Sequence, residues 1–341
     1  MTLETTYLGL DLAHPVIAGA SPLSATLDGV RRLEDAGAAA IVTATVFEAE
    51  VVAEEEALEA IAAVGAESHP EVTSYLPPRR GSHAPLAAHV EMVRRAADSV
   101  SAPLIASMNA TTRESWIRIA TDLQAAGAAA LELNVFQVAT DPAETSADVE
   151  RSVVEIVRDV RAAVQTPIAV KLGPNFSALP HFAAALAGAG ANGVVLFNRY
   201  YEPDIDLETM VIRPTHDLST SRDSRLPLKW IALLAGRTPL DLAAAGGVEE
   251  VDQIVKYLFA GADVVQTVSA LLRHGPRYLE RLVKGLAAWL ETRDVGSIAE
   301  VRGRMSAHRL AQPEMLLRAQ HTSSLLMECP CQDTGVPADR H

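Results

Sequence analysis

The sequence predicts a (β/α)8 barrel of the α/β class with a C-terminal helical extension, on three observations. A helix ending in Ala-Gly-Ala, followed at once by an apolar run, recurs at residues 36–38, 126–128, 189–191 and 260–262. Gly just past a helix takes a left-handed cap, and its small neighbours let helix and sheet approach closely. The apolar runs are short and unbroken, as parallel strands buried on both faces require. Those four runs, with others beginning at Pro15, Pro103 and Pro167 and one at 241–245, make eight, enough to close a barrel.

In chain order the predicted strands are 15–20, 41–43, 103–109, 131–134, 167–172, 194–198, 241–245 and 263–270. Proline opens three of them, which the first residue of a strand tolerates. A doubly wound open sheet is the competing arrangement, but no Gly-x-Gly-x-x-Gly follows an early strand, as a dinucleotide fold needs. After strand seven comes Gly246-Gly247, and a helix beginning at Glu249 turns its positive end toward the same spot. Adjacent glycines let backbone N–H groups approach an anion, and barrels often bind phosphate after strands seven and eight.

Two connections leave the C-terminal ends of strands and are long enough to be functional loops. One follows strand two, with an acidic helix over 48–63 and the segment Ser74 to Gly81. The other, Arg199 to Lys229, shows no helical period and carries Arg199, Arg213, Arg222, Arg225 and Lys229. Residues 1–296 are read as the barrel and 297–341 as an extension, with polar helices at Ile298–Met305 and Pro313–Met327 and a loose tail from Glu328.

The chain has 49% hydrophobic but only 4% aromatic residues, which fits tightly packed helices and parallel strands more than a β-sandwich. Its formal charge of −14 comes without a basic tract, which argues against nucleic acid and anionic membrane as partners. No apolar run reaches a membrane span and the start lacks a signal peptide's pattern, so a cytoplasmic location is expected. Cys329 and Cys331 are the chain's two cysteines, both in the tail. The barrel therefore has no thiol nucleophile and too few ligands for an iron–sulfur cluster, and no metal is expected.

The polar residues at the C-terminal strand ends are few. They are Ala20-Ser21, Thr43 and Thr45, Asn109, Asn134, Lys171 and Asn198. A lysine within Ile-Ala-Val-Lys-Leu either points into the barrel mouth or is half of a buried ion pair. Asparagines at 109, 134 and 198 cap open strand ends or present paired donors and acceptors to the edge of a planar heterocycle. The loop arginines are a solvated face paired with Asp204, Asp206, Asp217 and Asp223, or anion ligands. His274 is read as a helix-boundary residue.

From about Leu3 to Glu291 the chain resembles the dihydroorotate dehydrogenase family of FMN-dependent barrels, in its dihydroorotate dehydrogenase-like subgroup. Its phrases Leu131-Glu132-Leu133-Asn134, Ala169-Val170-Lys171-Leu172, Val195 to Arg199, Leu218 to Ser221, Arg225 to Trp230 and Ser269 to Pro276 carry the likeness. The resemblance implies FMN as cofactor, with Ala20, Ser21, Thr45 and Asn109 beside it. It implies Asn134 and Lys171 at the ring, where a cation stabilises reduced flavin, and Gly246, Gly247, Val268 and Ser269 at the phosphate. Asn109, Asn198, Arg199, Ser219 and Thr220 are the expected substrate contacts, with Lys171, Asn134 and Asn198 as the catalytic set.

The resemblance also implies oxidation of dihydroorotate to orotate, a step of pyrimidine biosynthesis, in which a base takes a proton while hydride passes to the flavin. At this point the sequence departs from the family. The relatives have Asn-x-Ser-Cys-Pro-Asn, or Ser in place of Cys, where this chain reads Asn134-Val135-Phe136-Gln137-Val138-Ala139. Gln137 cannot take a proton, and Ala44 stands where a lysine is usual. A general base contributes about two to four powers of ten. Tyr200, Tyr201, Ser219 and Lys229 are the alternative proton carriers, and another small anionic conjugated compound is the alternative substrate. Electrons would leave to a diffusible acceptor or to a redox partner protein, and the family's habit implies a homodimer. The rival reading is a non-catalytic, flavin-bound or empty subunit of a larger redox complex.

Overall fold

Strand pairing closes the barrel. In the computed structural model, which describes residues 2–49, 84–135, 138–199, 202–213 and 217–317, the barrel strands are Val16–Ala18, Ile41–Val42 with Val46–Phe47, Leu104–Asn109, Ala130–Asn134, Ile168–Leu172, Gly193–Leu196, Asp241–Ala245 and Val264–Thr267. Each pairs in parallel with its neighbours, and the last returns to the first through Thr267 and Ala18. The eight predicted strands are the eight observed. The second is split, since its two halves pair with successive parts of the third. In the gap the Thr43 hydroxyl accepts the Ser107 N–H at 3.1 Å, replacing a missing backbone acceptor.

Helices follow the strands and cover the outside. The glycine of every Ala-Gly-Ala phrase has positive φ, between 83° and 119°. Thr26, Thr112 and Thr145 cap helices 27–35, 113–125 and 146–163 by accepting an N–H three residues on.

The pleat sorts each strand's residues. Leu131 and Leu133 face the helices, while Ala130, Glu132 and Asn134 face the axis. On the same alternation Ile105, Ser107 and Asn109 point inward, as do Ala169 and Lys171, and Val264 and Gln266. The lower interior is therefore small and apolar. An antiparallel hairpin, Thr5–Tyr7 with Leu10–Leu12, closes the bottom and inserts Tyr7, Leu8 and Leu12 into that layer. Nothing in the sequence reading anticipated this plug, because three-residue strands carry too little pattern.

Other boundaries differ from expectation. The segment taken as loop to Lys229 contains a hairpin, Asp204–Asp206 with Val211–Arg213, a 3-10 turn at Ser221–Ser224 and a helix from Arg225 to Leu234. Pro227 sits in that helix's first turn, where its missing N–H costs nothing. The helix expected from Glu249 starts at Val251, because Glu250 takes the N-cap and exchanges hydrogen bonds with Gln253. In the extension, short helices occupy Ile298–Val301 and Glu314–Leu317, and residues 302–309 form turns instead of continuing the first. Ile298, Val301 and Ala307 are buried, and Ala307 donates to the Ala232 carbonyl at 2.7 Å. The acidic helix over 48–63, the Ser74–Gly81 segment and both cysteines lie outside the described residues, apart from the helix start at Glu48. Among the described residues no helix is long and apolar enough to cross a membrane.

Candidate active site at the barrel mouth

Above the apolar layer the inward positions become polar. Lys171 Nζ lies 3.2 Å from Glu132 Oε1 and 3.3 Å from Gln266 Oε1. Glu132 also accepts from Gln266 Nε2 at 2.7 Å and from the Ser107 hydroxyl at 3.4 Å. Lys171 thus points into the barrel and has a partner, so both sequence alternatives hold together. Excellent pairing is the condition for keeping two charges away from water.

One layer higher, the three asparagines meet. Asn198 Nδ2 donates to Asn134 Oδ1 at 2.6 Å, and Asn134 Nδ2 donates to the Thr45 hydroxyl at 3.3 Å. Asn109 Nδ2 donates to the Asn134 carbonyl at 2.9 Å. Thr45 and Ser107 share a hydrogen bond of 2.8 Å, which links this layer to the Lys171–Glu132 layer. Glu48 braces the rim from outside by accepting from the Thr111 N–H and hydroxyl and from Ser115. Burial opposes its charge, but these donors outweigh burial and hold its carboxyl below the usual range.

A cavity of about 560 Å3 opens beside this column. Ala20, Lys171, Asn198, Arg199, Ser219, Gly246, Gly247, Val268 and Ser269 line it, nine of the residues expected at a site from the sequence. Gly247, at φ 68°, packs so closely on the 3-10 turn that a Cβ would lie 2.4 Å from Ser224 N. Its N–H reaches the Ser219 hydroxyl at 3.2 Å, and that hydroxyl meets the Ser269 hydroxyl at 2.8 Å. Tyr257 donates to the Gly246 carbonyl at 2.7 Å and so holds the turn from beneath. Burial drives its phenol well above the ordinary range, so it stays a neutral donor.

The remaining expectations are placed less centrally. Thr45, Asn109 and Asn134 join the site through the asparagine cluster, while Ser21 is buried at the start of a short turn. Thr220 is exposed, and its hydroxyl is spent on Asp223. Ser219 faces the glycine turn and not the asparagines. Arg199 donates to the Asp217 carbonyl, whereas Arg213 pairs with Asp206 on the exposed hairpin. Lys229 is exposed on helix 225–234, and Gln137, Tyr200 and Tyr201 lie outside the described residues. His274 ends helix 269–274 and stacks on Tyr278. Sequence reasoning missed Glu132, Gln266 and Ser107, although each lies two residues before a chosen position and so shares its face.

The donor set suits a ring-plus-phosphate ligand such as FMN. The buried Lys171 ammonium and a glycine turn, whose Gly247 N–H donates to a hydroxyl oxygen, line the same cavity. The volume falls within the range of small-ligand sites.

The family model for dihydroorotate dehydrogenase matches residues 2–290. The Methanothermobacter thermautotrophicus protein named dihydroorotate dehydrogenase B (NAD(+)), catalytic subunit, is 26% identical over 310 residues, 88% of this chain and 97% of that relative. An Aeropyrum pernix protein, provisionally named dihydroorotate dehydrogenase A (fumarate), is 29% identical over 233 residues, covering 64% of this chain and 72% of the relative. The B-type catalytic subunit of Shouchella clausii is 24% identical over 211 residues, covering 60% and 69%.

Proposed function

The chain belongs to the dihydroorotate dehydrogenase family, and from that premise we propose an FMN-dependent oxidoreductase acting on a CH–CH bond of a small anionic, conjugated substrate. The observation that supports it most is Lys171, a buried cation that lines the same cavity as Gly246, Gly247 and Ser269. A flavin held there would supply the hydride acceptor. Lys171 would place positive charge at its ring, and the N–H groups of the glycine turn and of Val268 and Ser269 would face its phosphate.

Asn134 and Asn198 hold each other by a side-chain hydrogen bond, and Asn109 is anchored on Asn134. A planar substrate would be oriented by their remaining donors and acceptors. Arg199, which lines the cavity, would take its carboxylate with the nitrogens not spent on the Asp217 carbonyl. Dihydroorotate is the first candidate, tempered by Gln137 at the position of the family's base. Fumarate and NAD(+) appear in the names of relatives, which supports a diffusible acceptor. Two of those relatives are named as catalytic subunits, which supports a protein partner as the other outlet.

The test is anaerobic. The purified protein's visible spectrum is recorded, and dihydroorotate is added. Bleaching of a yellow protein establishes the dehydrogenase despite Gln137. A yellow protein that stays oxidised keeps the flavin and removes dihydroorotate, and a colourless protein that refuses FMN overturns the reading.

A further inference from the structure

Charge is distributed unevenly around the cavity. In a chain of net charge −14, its lining carries Lys171, Arg199, Arg222 and Arg225 against Glu202, Asp217 and Asp223. Two of these cations already have a partner within the protein, Lys171 in Glu132 and Arg199, through one nitrogen, in the Asp217 carbonyl, and both are assigned above to the ring and the substrate. Arg273, near the same turn, is partnered too, by Glu249 at 2.7 Å and the Leu218 carbonyl at 2.9 Å. The guanidinium groups of Arg222 and Arg225 form no ion pair or hydrogen bond among the described residues.

Their nearest acidic neighbour in sequence is engaged elsewhere. Asp223 accepts from the Thr220 N–H at 2.6 Å and from the Thr220 hydroxyl, closing its own turn. That turn packs directly on Gly247: a Cβ there would meet Ser224 N at 2.4 Å, Thr220 O at 2.8 Å and the Asp223 carbonyl carbon at 3.0 Å. Arg222 therefore lies within the stretch of backbone against the glycine turn, and Arg225 directly follows it. The Gly247 N–H is meanwhile served by a hydroxyl oxygen, the position an anion's oxygen would take.

We infer that Arg222 and Arg225 are the charge partners of the cofactor's phosphate, which backbone N–H groups alone would leave with its charge uncompensated. The inference rests on the flavin reading above. Guanidinium suits a phosphate, since its planar fork delivers two hydrogen bonds together with a full charge. The source of the anion is the cofactor and not the substrate, because Arg222 lies in the turn on Gly247 and Arg225 directly follows it, while the asparagines cluster at the ends of strands three, four and six.

Flavin-free protein is titrated with FMN and with riboflavin, which lacks the phosphate, reading the quenching of flavin fluorescence. Wild type should prefer FMN. The R222Q/R225Q variant should lose about ten- to hundredfold in FMN affinity with riboflavin unchanged, one or two charge-assisted hydrogen bonds' worth. The salt dependence of FMN binding should flatten in parallel, and R222K/R225K should recover part of the loss. An R222Q/R225Q protein that keeps the wild-type FMN-to-riboflavin ratio overturns the assignment while leaving the flavin reading intact. Equal loss of both flavins overturns it as an effect on the fold, and unchanged FMN binding with a raised KM for dihydroorotate gives the arginines to the substrate. Wild-type protein that refuses FMN overturns both readings.

Discussion

Lys171 Nζ and Glu132 Oε1 lie 3.2 Å apart inside the barrel, with side chains 9% and 1% exposed. Glu132 is enclosed and Lys171 meets only the cavity, so removing one partner leaves the other's charge poorly compensated. Glu132→Gln should cost about 3 kcal/mol in urea denaturation, and the Lys171→Met/Glu132→Gln double variant less than the sum of the singles. With flavin bound the two singles should part company. Lys171→Met should lower the flavin midpoint potential and Glu132→Gln should raise it, because one removes a cation and the other removes its neutralising partner. Shifts of the same sign would show that the pair acts only through packing.

The two glycines after strand seven make unequal demands. Gly246 has φ 104° with nothing nearer its missing Cβ than 3.8 Å, whereas at Gly247 the same atom would overlap the backbone of the 3-10 turn. Gly246→Ala should therefore cost the strain of a positive φ, about 1–2 kcal/mol. Gly247→Ala must also displace the turn carrying Arg222, so its flavin content after purification should fall further than that of Gly246→Ala. Equal flavin content in the two variants would remove the turn from the cofactor site.

Period and punctuation made the barrel legible: the Ala-Gly-Ala phrases and opening prolines marked strand boundaries, and the structure kept all eight strands. Lys171 stood out because charge inside an apolar strand is costly. Glu132 carries the same cost and is flanked by leucines, yet its partner lies 39 residues away on the next strand, which no local pattern reports. The contact between Gly247 and the 3-10 turn was equally hidden, since it joins the connections after strands six and seven. The segment read as loop to Lys229 contains a helix from Arg225, because one ten-residue helix with a proline in its first turn presents little period.

Tyr7 from the hairpin plug is fully buried, and its hydroxyl has no hydrogen-bond partner among the described residues. Burial, reinforced by Glu132, Asp241 and Asp263, holds its phenol far above the usual range, so it is neutral at any working pH. An orphan hydroxyl costs desolvation without return. Tyr7→Phe should leave the urea midpoint unchanged or raise stability by about 1 kcal/mol. A loss of that size would instead reveal a bridging water beneath the site.

At the bottom of the barrel, Asp263 accepts from Leu242 N–H at 2.8 Å and from Arg302 at 2.7 Å. Burial pushes its pKa up to about 6, outweighing the Leu242 hydrogen bond and the Arg302 charge, with Asp241 adding to the rise. In the unfolded chain the same group titrates near the ordinary carboxylate value of about 4. Between about pH 4 and 6 the folded protein therefore holds a proton that the unfolded chain has released, so this group's contribution to stability falls as pH rises. Asp263→Asn keeps an oxygen for Leu242 and removes the titration. The difference in unfolding free energy, wild type minus variant, should decline by on the order of 2–3 kcal/mol from pH 4 to 6 and level off on either side. A difference that climbs with pH would mean that Arg302 governs the site and holds the carboxyl below its ordinary value. The C-terminal extension would then be fastened to the barrel by an ion pair that strengthens toward neutrality.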